Sequence, residues 1–362
     1  MAQTVQRLLG TIDALPYSPP PRAGLAPPTP PPQGGVAMCP VTDSTPEAVA
    51  FSGLPNGPPP DSVDRVLPQG YRLLGIVSRT TGSLVMRVLD ERSGQAAVLK
   101  RSTQTPVAPL NIRALGVQCP GILLPRRTWS EADATYELLD WVDSYTLESI
   151  MQHAHVPVRG ALLDHWVTTL VELVVPLHSA HPPIIHRDIT PSNVVVATED
   201  LSLWLIDTSS ACFGGQTQHP AGSPSYAPRE QLEGNAVPAS DIYSIGALAY
   251  HLAMQRLPPS FASREQALKR RASHGDPRDA TCNPHLAIET GGLQKLGDWI
   301  ELMLQLIPVA RPRDADNALA LKRPENTLVN KRLGTLTLPN GRRVVMNLLD
   351  FHIELQEERT SQ

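Results

Sequence analysis

Proline is segregated along this chain, and the segregation decides where a fold can form. Of 37 prolines in 362 residues, 16 lie within residues 1–68. Runs such as Pro19-Pro20-Pro21, Pro30-Pro31-Pro32 and Pro58-Pro59-Pro60 hold φ near polyproline II values and lack backbone N–H groups, so neither helix nor sheet propagates through them. Residues 16–68 therefore read as an extended, disordered leader, serving as a linker or as a ligand for a partner with a polyproline-binding groove. Ahead of it, Val5, Leu8, Leu9, Ile12 and Leu15 sit at helical spacing, which predicts one short amphipathic helix over residues 1–15.

A packed core must come from the remainder, and 41% apolar residues suffice for one. Charged residues make up 18% and the net charge is −4. That balance gives no electrostatic basis for binding nucleic acid or an acidic membrane. Cys39, Cys119, Cys212 and Cys282 are dispersed, with no C-x-x-C pair or zinc-ligand spacing, which points to a reduced, cytoplasmic compartment. No basic segment followed by an apolar run opens the chain. The most apolar stretch, residues 162–177, is interrupted by Asp164, His165 and Glu172, so neither a signal peptide nor a membrane span is expected.

Composition changes at Tyr71. Residues 71–77, 83–89, 95–100 and 135–141 read as strands, with a turn over 90–94. From Leu147 the pattern turns helical, and Leu162, Trp166, Leu170, Leu173 and Val174 share one face. Strands followed by helices predict an α+β fold, a small antiparallel-sheet lobe over residues 71–143 and a mainly helical lobe over 144–321. In the extension 322–362, residues 333–338 and 343–349 flank Pro339-Asn340-Gly341, which predicts a β-hairpin. Its docking place stays open between the sheet lobe and a partner. The polar tail 356–362 reads as loose.

The chemistry concentrates in His186-Arg187-Asp188-Ile189-Thr190-Pro191-Ser192-Asn193. Phosphoryl transfer needs a carboxylate to orient the attacking hydroxyl and oxygen ligands to hold Mg²⁺ on the phosphates. Asp188 and Asn193, five residues apart on one loop, provide one of each. Fourteen residues later, Leu205-Ile206-Asp207 ends an apolar strand in a second carboxylate, able to approach the same metal from the other side.

This octet resembles the catalytic loop of eukaryotic-type protein kinases, and Asp207 falls where that family has its metal-binding Asp. Gly222-Ser223-Pro224-Ser225-Tyr226-Ala227-Pro228-Arg229-Glu230 resembles the end of an activation segment with its substrate-docking loop. Ser240-Asp241-Ile242-Tyr243-Ser244-Ile245-Gly246 resembles the family's buried helix. Upstream, Val98-Leu99-Lys100 resembles the third-strand lysine motif, and Leu138-Leu139-Asp140-Trp141-Val142 the hinge. The style of the helical lobe is similar to bacterial Ser/Thr kinases.

The resemblance implies a two-lobed kinase fold that uses ATP with Mg²⁺ or Mn²⁺ on protein substrates. It implies Asp188, Lys100 and Asn193 as catalytic residues and Asn193 and Asp207 as metal ligands. ATP would lie against Lys100, Ser78, Thr80, Gly82, Ser83, Val85, Leu139, Asp140 and Val142. His186, Arg187, Ser223, Glu230, Asp241 and Arg311 would be structural: Glu230 pairing with Arg311, Asp241 bonding the catalytic-loop backbone, Ser223 bonding Asp188. Arg187 would make a polar contact in the activation segment or receive a phosphate there, at Thr217.

Four departures weaken the pattern. The glycine-rich loop falls at Ser78, Thr80 and Ser83, with only Gly82 adjacent, so backbone N–H groups lose their close approach to phosphates. No Asp or Glu occurs between Glu91 and Glu131, so Lys100 lacks its usual helix carboxylate; that helix has room only over residues 108–117. Thr190 replaces a lysine, and no Lys or Arg lies between Arg187 and Arg229. Asp207-Thr208-Ser209 replaces Asp-Phe-Gly. Three functions fit these residues: an active Ser/Thr protein kinase, a pseudokinase acting as a binding module, and a small-molecule phosphotransferase with a kinase-like core. The docking loop with its Arg311 partner argues against the third.

Overall fold

A computed structural model describes residues 67–103, 110–131, 134–154, 157–158, 160–215, 219–260, 263, 288, 290, 293–322, 331–341, 343–349 and 352–357. All fall within the compact unit Phe51–Gln362. The predicted helix over residues 1–15, nearly all of the proline-rich leader, Cys39, Thr217 and Cys282 lie outside the described residues.

The first lobe is an antiparallel sheet of β1 (Tyr71–Arg79), β2 (Ser83–Asp90), β3 (Gln95–Ser102), β4 (Arg127–Glu131) and β5 (Ala134–Asp140), in the order β1-β2-β3-β5-β4. Period-two alternation builds it. Leu84, Met86 and Val88 of β2, Ala97 and Leu99 of β3, and Ala134, Tyr136 and Leu138 of β5 form one core cluster on one face. The opposite face therefore carries Val85, Lys100 and Glu137, which the register aligns as a row across β2, β3 and β5.

The second lobe holds α1 (Leu147–Ala154), α2 (Gly160–His178), α3 (Arg229–Leu232), α4 (Pro238–Met254), α5 (Gln294–Met303) and α6 (Ala315–Leu321). By length and composition α2 could cross a membrane. Here it is a core helix, burying Leu162, Trp166, Leu170, Leu173 and Val174 with their neighbours. Nearly every face of α4 is buried, as expected of a helix apolar all round. Gly246 lets α5 approach it: a Cβ there would lie 2.8 Å from the Met303 Cβ.

Two small sheets position the loops that matter. Strand β7 (Ile184–Ile185) pairs with β10 (Cys212–Phe213), while β8 (Val194–Ala197) pairs with β6 (Ser144–Thr146) and β9 (Leu203–Leu205). Residues 186–193 and 206–211 are thus clamped at both ends and held side by side.

Two expectations change. The segment before β4 forms a single 3-10 turn, Ile112–Leu115, capped by the Asn111 side chain and closed by Gly116 at φ 74°. Its described residues, 110–117, include no carboxylate. The C-terminal hairpin, β11 (Lys331–Thr337) and β12 (Arg343–Leu349), gains a third strand, β13 (His352–Glu357), which takes in part of the tail read as loose. Alternate polar positions in His-Ile-Glu-Leu-Gln-Glu hide a strand until a partner edge is known. The hairpin docks on the helical lobe, not the sheet lobe, through buried Leu336, Leu338 and Val344.

Candidate active site

The loop 186–193 hangs from one buried carboxylate. Asp241, in the first turn of α4, accepts hydrogen bonds from the backbone N–H of His186 (2.7 Å) and of Arg187 (2.9 Å). A third contact comes from His178 Nε2 at 3.1 Å. The Ala315 N–H donates to His178 Nδ1, which puts the imidazole proton on Nε2, facing Asp241. A buried charge supplied with three donors is satisfied.

The loop stores backbone strain. Arg187 and Asp207 have φ of 67° and 61°, left-handed values that cost non-glycine residues on the order of 1–3 kcal/mol and persist where surroundings over-determine them. The surroundings do so here. Arg187 donates to the carbonyls of Ser210 (2.6 Å) and His219 (2.9 Å), and its own carbonyl accepts from Gln231 Nε2 at 2.6 Å. Those contacts bind the segment after Asp207 to the loop without any added phosphate.

At the centre, Asn193 Nδ2 donates to Asp188 Oδ2 (2.7 Å) and to the Asp188 carbonyl (2.9 Å). Ser223 Oγ donates to Asp188 Oδ1 at 3.1 Å. The Ile206 N–H donates to the Asn193 carbonyl, which joins the loop directly to the residue preceding Asp207. Asp207 Oδ1 accepts from Lys100 Nζ (2.5 Å), Ser209 Oγ (2.6 Å) and the Ser209 N–H (3.2 Å). Burial pushes the Asp207 carboxyl upward, but the Lys100 charge and the bonds from Lys100 and Ser209 outweigh it and hold the pKa below its usual value. Asp188, Asn193, Asp207 and Lys100 thus converge.

The segment 222–230 is fastened behind them. Gly222 has φ 97°, and a Cβ there would meet the Arg187 carbonyl at 2.5 Å, so only glycine fits. Glu230 receives Arg311 Nη1 at 2.7 Å and Nη2 at 3.4 Å. Ser240 Oγ accepts from the Val237 N–H and donates to Glu230, tying this pair to the start of α4.

Comparison with known proteins agrees with this geometry. A family model described as a protein kinase domain matches residues 83–319. The chain belongs to the protein kinase family. It is 29% identical over 201 residues to Calcium-dependent protein kinase 9 of Oryza sativa subsp. japonica, across 52% of this chain and 34% of the relative. It is 31% identical over 134 residues to the serine/threonine-protein kinase PknA of Nostoc sp., across 34% and 23%. To PknL of Mycobacterium tuberculosis it is 28% identical over 195 residues, across 51% and 46%. The chain thus spans less than half the length of these relatives. Its fold resembles the apo form of PpkA-294 (TM-score 0.51, 19% identity, 71% of this chain and 99% of that one). It also resembles the Cydia pomonella granulovirus kinase PK-1 (TM-score 0.56, 17% identity, 72% and 97%).

Within this kinase domain the departures acquire physical form. The lid turn bonds to itself: the Thr80 N–H donates to the Ser83 carbonyl, and the Ser83 N–H donates to Thr80 Oγ1. The Gly82 carbonyl is tied to Thr103. Thr190 is buried, its hydroxyl paired with Ser192 Oγ at 2.9 Å. Thr208 is buried in the 3-10 turn Thr208–Ser210. In the segment 138–142, Leu139 is buried and Asp140 pairs with Arg126. The Val142 carbonyl accepts from Ser144 Oγ.

Two charged residues near the site escaped the sequence reading. Arg87 of β2 lies over the Trp141 ring, 4.3 Å from its centroid. Glu137 of β5 is buried 3.9 Å from Lys100 Nζ. The signal that would have found Glu137 is the alternation of its own strand, which points it away from the core that Tyr136 and Leu138 enter.

Burial also sets a pH limit on the kinase domain. His186 is fully buried and its pKa lies below the usual value; burial dominates, opposed by the carboxylates of Asp241, Asp188 and Asp207. Burial lowers His251 as well. A histidine with a depressed folded pKa costs nothing above about pH 6.5, where the unfolded chain is also neutral. Below that the unfolded chain takes up protons that the fold resists, so stability falls with pH at up to about 1.4 kcal/mol per unit for each group. Thermal unfolding between pH 7.5 and 5.5 should show Tm falling as the medium is acidified, with a shallower fall in His186→Phe.

Proposed function

We propose that this chain is a protein kinase that transfers the γ-phosphate of ATP to Ser or Thr hydroxyls of protein substrates. One observation carries the reading: a continuous set of bonds runs from Asp188 through Asn193 and Ile206 to Asp207 and on to Lys100. Asp188, its plane fixed by Asn193 and Ser223, would orient the substrate hydroxyl and accept its proton. Asn193 spends its amide nitrogen on Asp188, so its Oδ1 would serve, with the Asp207 carboxylate, as an oxygen donor.

Such a donor pair fits Mg²⁺ or Mn²⁺ shared with phosphate oxygens. Among the described residues no three His, Cys, Asp or Glu side chains form a closed metal cage. Bound ATP supplies the transferable phosphoryl group. Lys100 would hold its phosphates, Ser78, Thr80, Gly82, Ser83 and Val85 would cover them, and Leu139, Asp140 and Val142 would line the adenine side. Cys119 and Cys212 are free, and burial raises both thiols to about 11, which suits unreactive thiols in a reducing cytoplasm. The leader 16–68 would serve as a linker or polyproline ligand.

A second reading, a binding module that transfers nothing, is favoured by the lid turn, whose Thr80 and Ser83 N–H groups are used internally. Incubating the purified chain with labelled ATP, Mg²⁺ or Mn²⁺ and a generic protein substrate decides between them. Phosphoserine or phosphothreonine is the expected product. No incorporation, with a thermal shift on adding ATP, would establish the binding module. Labelling of a small alcohol or amine instead would establish a small-molecule phosphotransferase.

The same assay reads the missing cation. A preorganised donor aimed at developing charge is worth on the order of 3 kcal/mol, about a hundredfold in rate. Thr190→Lys returns an ammonium to the catalytic loop but gives up the bond to Ser192, so a rise in kcat of about tenfold is expected.

A further inference from the structure

A carboxylate is costly to bury without a partner, and Glu137 is 6% exposed. It stands on β5, between β3 and β4, directly across the register from Lys100. Burial pushes its pKa up and the Lys100 charge pulls it back, with Asp207 adding to the rise. Lys100 is the cation that accounts for a carboxylate at this place.

The ammonium is therefore bracketed by two anions of different kinds. Asp207 belongs to a loop, caps a 3-10 turn, and has a side chain 34% exposed. Glu137 is built into a strand bonded on both edges, with a side chain 8% exposed. A cation arriving at Asp207 competes with Lys100 for Oδ1, and a phosphate competes with Asp207 for the Lys100 ammonium. Glu137 lies behind, out of that competition.

We infer that Glu137 is the positioning residue for Lys100, holding the ammonium over the phosphate site from within the sheet. It performs there the task for which residues 110–117 offer no carboxylate. The inference rests on the kinase reading for its catalytic meaning, but the ion pair itself is testable without turnover.

Full-length Glu137→Gln removes the charge and keeps the shape. The first readout is labelling of the Lys100 amine by an amine-reactive reagent without nucleotide, followed residue by residue by mass spectrometry. Loss of the partner should speed Lys100 labelling about tenfold, the factor that 1.4 kcal/mol is worth. The second readout is initial-rate kinetics: KM for ATP should rise about tenfold with a smaller change in kcat and no loss of Tm. Glu137→Asp, one carbon shorter, should fall between. Lowered Tm with unchanged Lys100 labelling would mark a merely structural residue and overturn the inference.

If Glu137→Gln does not fold, a stability cycle decides. Lys100→Ala strands the buried Glu137 carboxylate and also unpairs the more exposed Asp207, and should lower Tm by about 5 °C or more; adding Glu137→Leu should restore part of it, and no recovery at all would refute the pairing. A wild-type chain that transfers no phosphate would defeat the kinase reading, while labelling and the stability cycle would still decide the role of Glu137.

Discussion

Asp188→Asn should lower the rate of phosphate transfer by about a thousandfold and Tm by only about 3–5 °C. Both carboxylate oxygens of Asp188 are committed in one direction, Oδ1 to Ser223 Oγ and Oδ2 to Asn193 Nδ2. Their remaining lone pairs are what a substrate hydroxyl would meet. Asparagine reproduces the shape, but it puts an NH₂ group against one of those two donors and withdraws the charge that draws the proton. General-base assistance contributes roughly 10²–10⁴ in rate, and none survives the substitution. The cost in stability is one charge-assisted hydrogen bond, about 1.5–3 kcal/mol, part of which a rotated amide recovers. Initial rates with labelled ATP and Mg²⁺, beside thermal unfolding of both proteins, measure the two effects. Undiminished incorporation by the variant would remove Asp188 from the reaction.

Much of this site was legible because its groups sit at fixed spacing on one loop. Asp188 and Asn193 are joined by a side-chain bond across five residues, a distance that a tight loop enforces. Asp207 lies two residues beyond the strand that pairs with the one leaving that loop. Such relations are local and survive in a string of letters. Lys100 was legible as a motif, but its neighbours were not. No carboxylate lies between Glu91 and Glu131, and the one that faces Lys100 comes from a neighbouring strand through sheet register. Register depends on which strands meet, and β5 inserts between β3 and β4. The third C-terminal strand was missed for the same reason. His352–Glu357 alternates as a strand should, but its identity depends on the edge that β12 presents. The lid shows a different limit. The sequence carries serine and threonine where glycine was expected, but that the Thr80 hydroxyl closes its own turn depends on how the loop folds.

Arg311→Ala should cost about 3–5 kcal/mol, the penalty of breaking a buried ion pair from one side. In a domain of this size that lowers Tm by about 10 °C. The Arg311 side chain is 0% exposed, and Glu230 only 15%. Besides Glu230, the guanidinium bonds the carbonyls of Gln305 (2.5 Å), Leu306 (2.9 Å) and Ala239 (3.3 Å) and stacks 4.7 Å over the Tyr243 ring. Truncation leaves the Glu230 carboxylate with only the Ser240 hydroxyl and takes a donor from three carbonyls together. Arg311→Lys keeps the charge but has three donors on one nitrogen, which cannot reach acceptors set around a planar fork, so it should recover less than half the loss. Adding Glu230→Ala to Arg311→Ala removes the charge left without its cation and should return part of the Tm, while the three carbonyls still lack the guanidinium. The rate should fall as well: Glu230 anchors the segment that carries Ser223, and Ser223 fixes the plane of Asp188. Loosening Arg311 would therefore lower kcat more than it raises KM for ATP, because among the described residues neither Arg311 nor Glu230 is bonded to Lys100 or to the strands proposed to hold nucleotide. Equal effects on both parameters, or a Tm loss under about 2 °C, would show that this pair does not hold the segment 222–230.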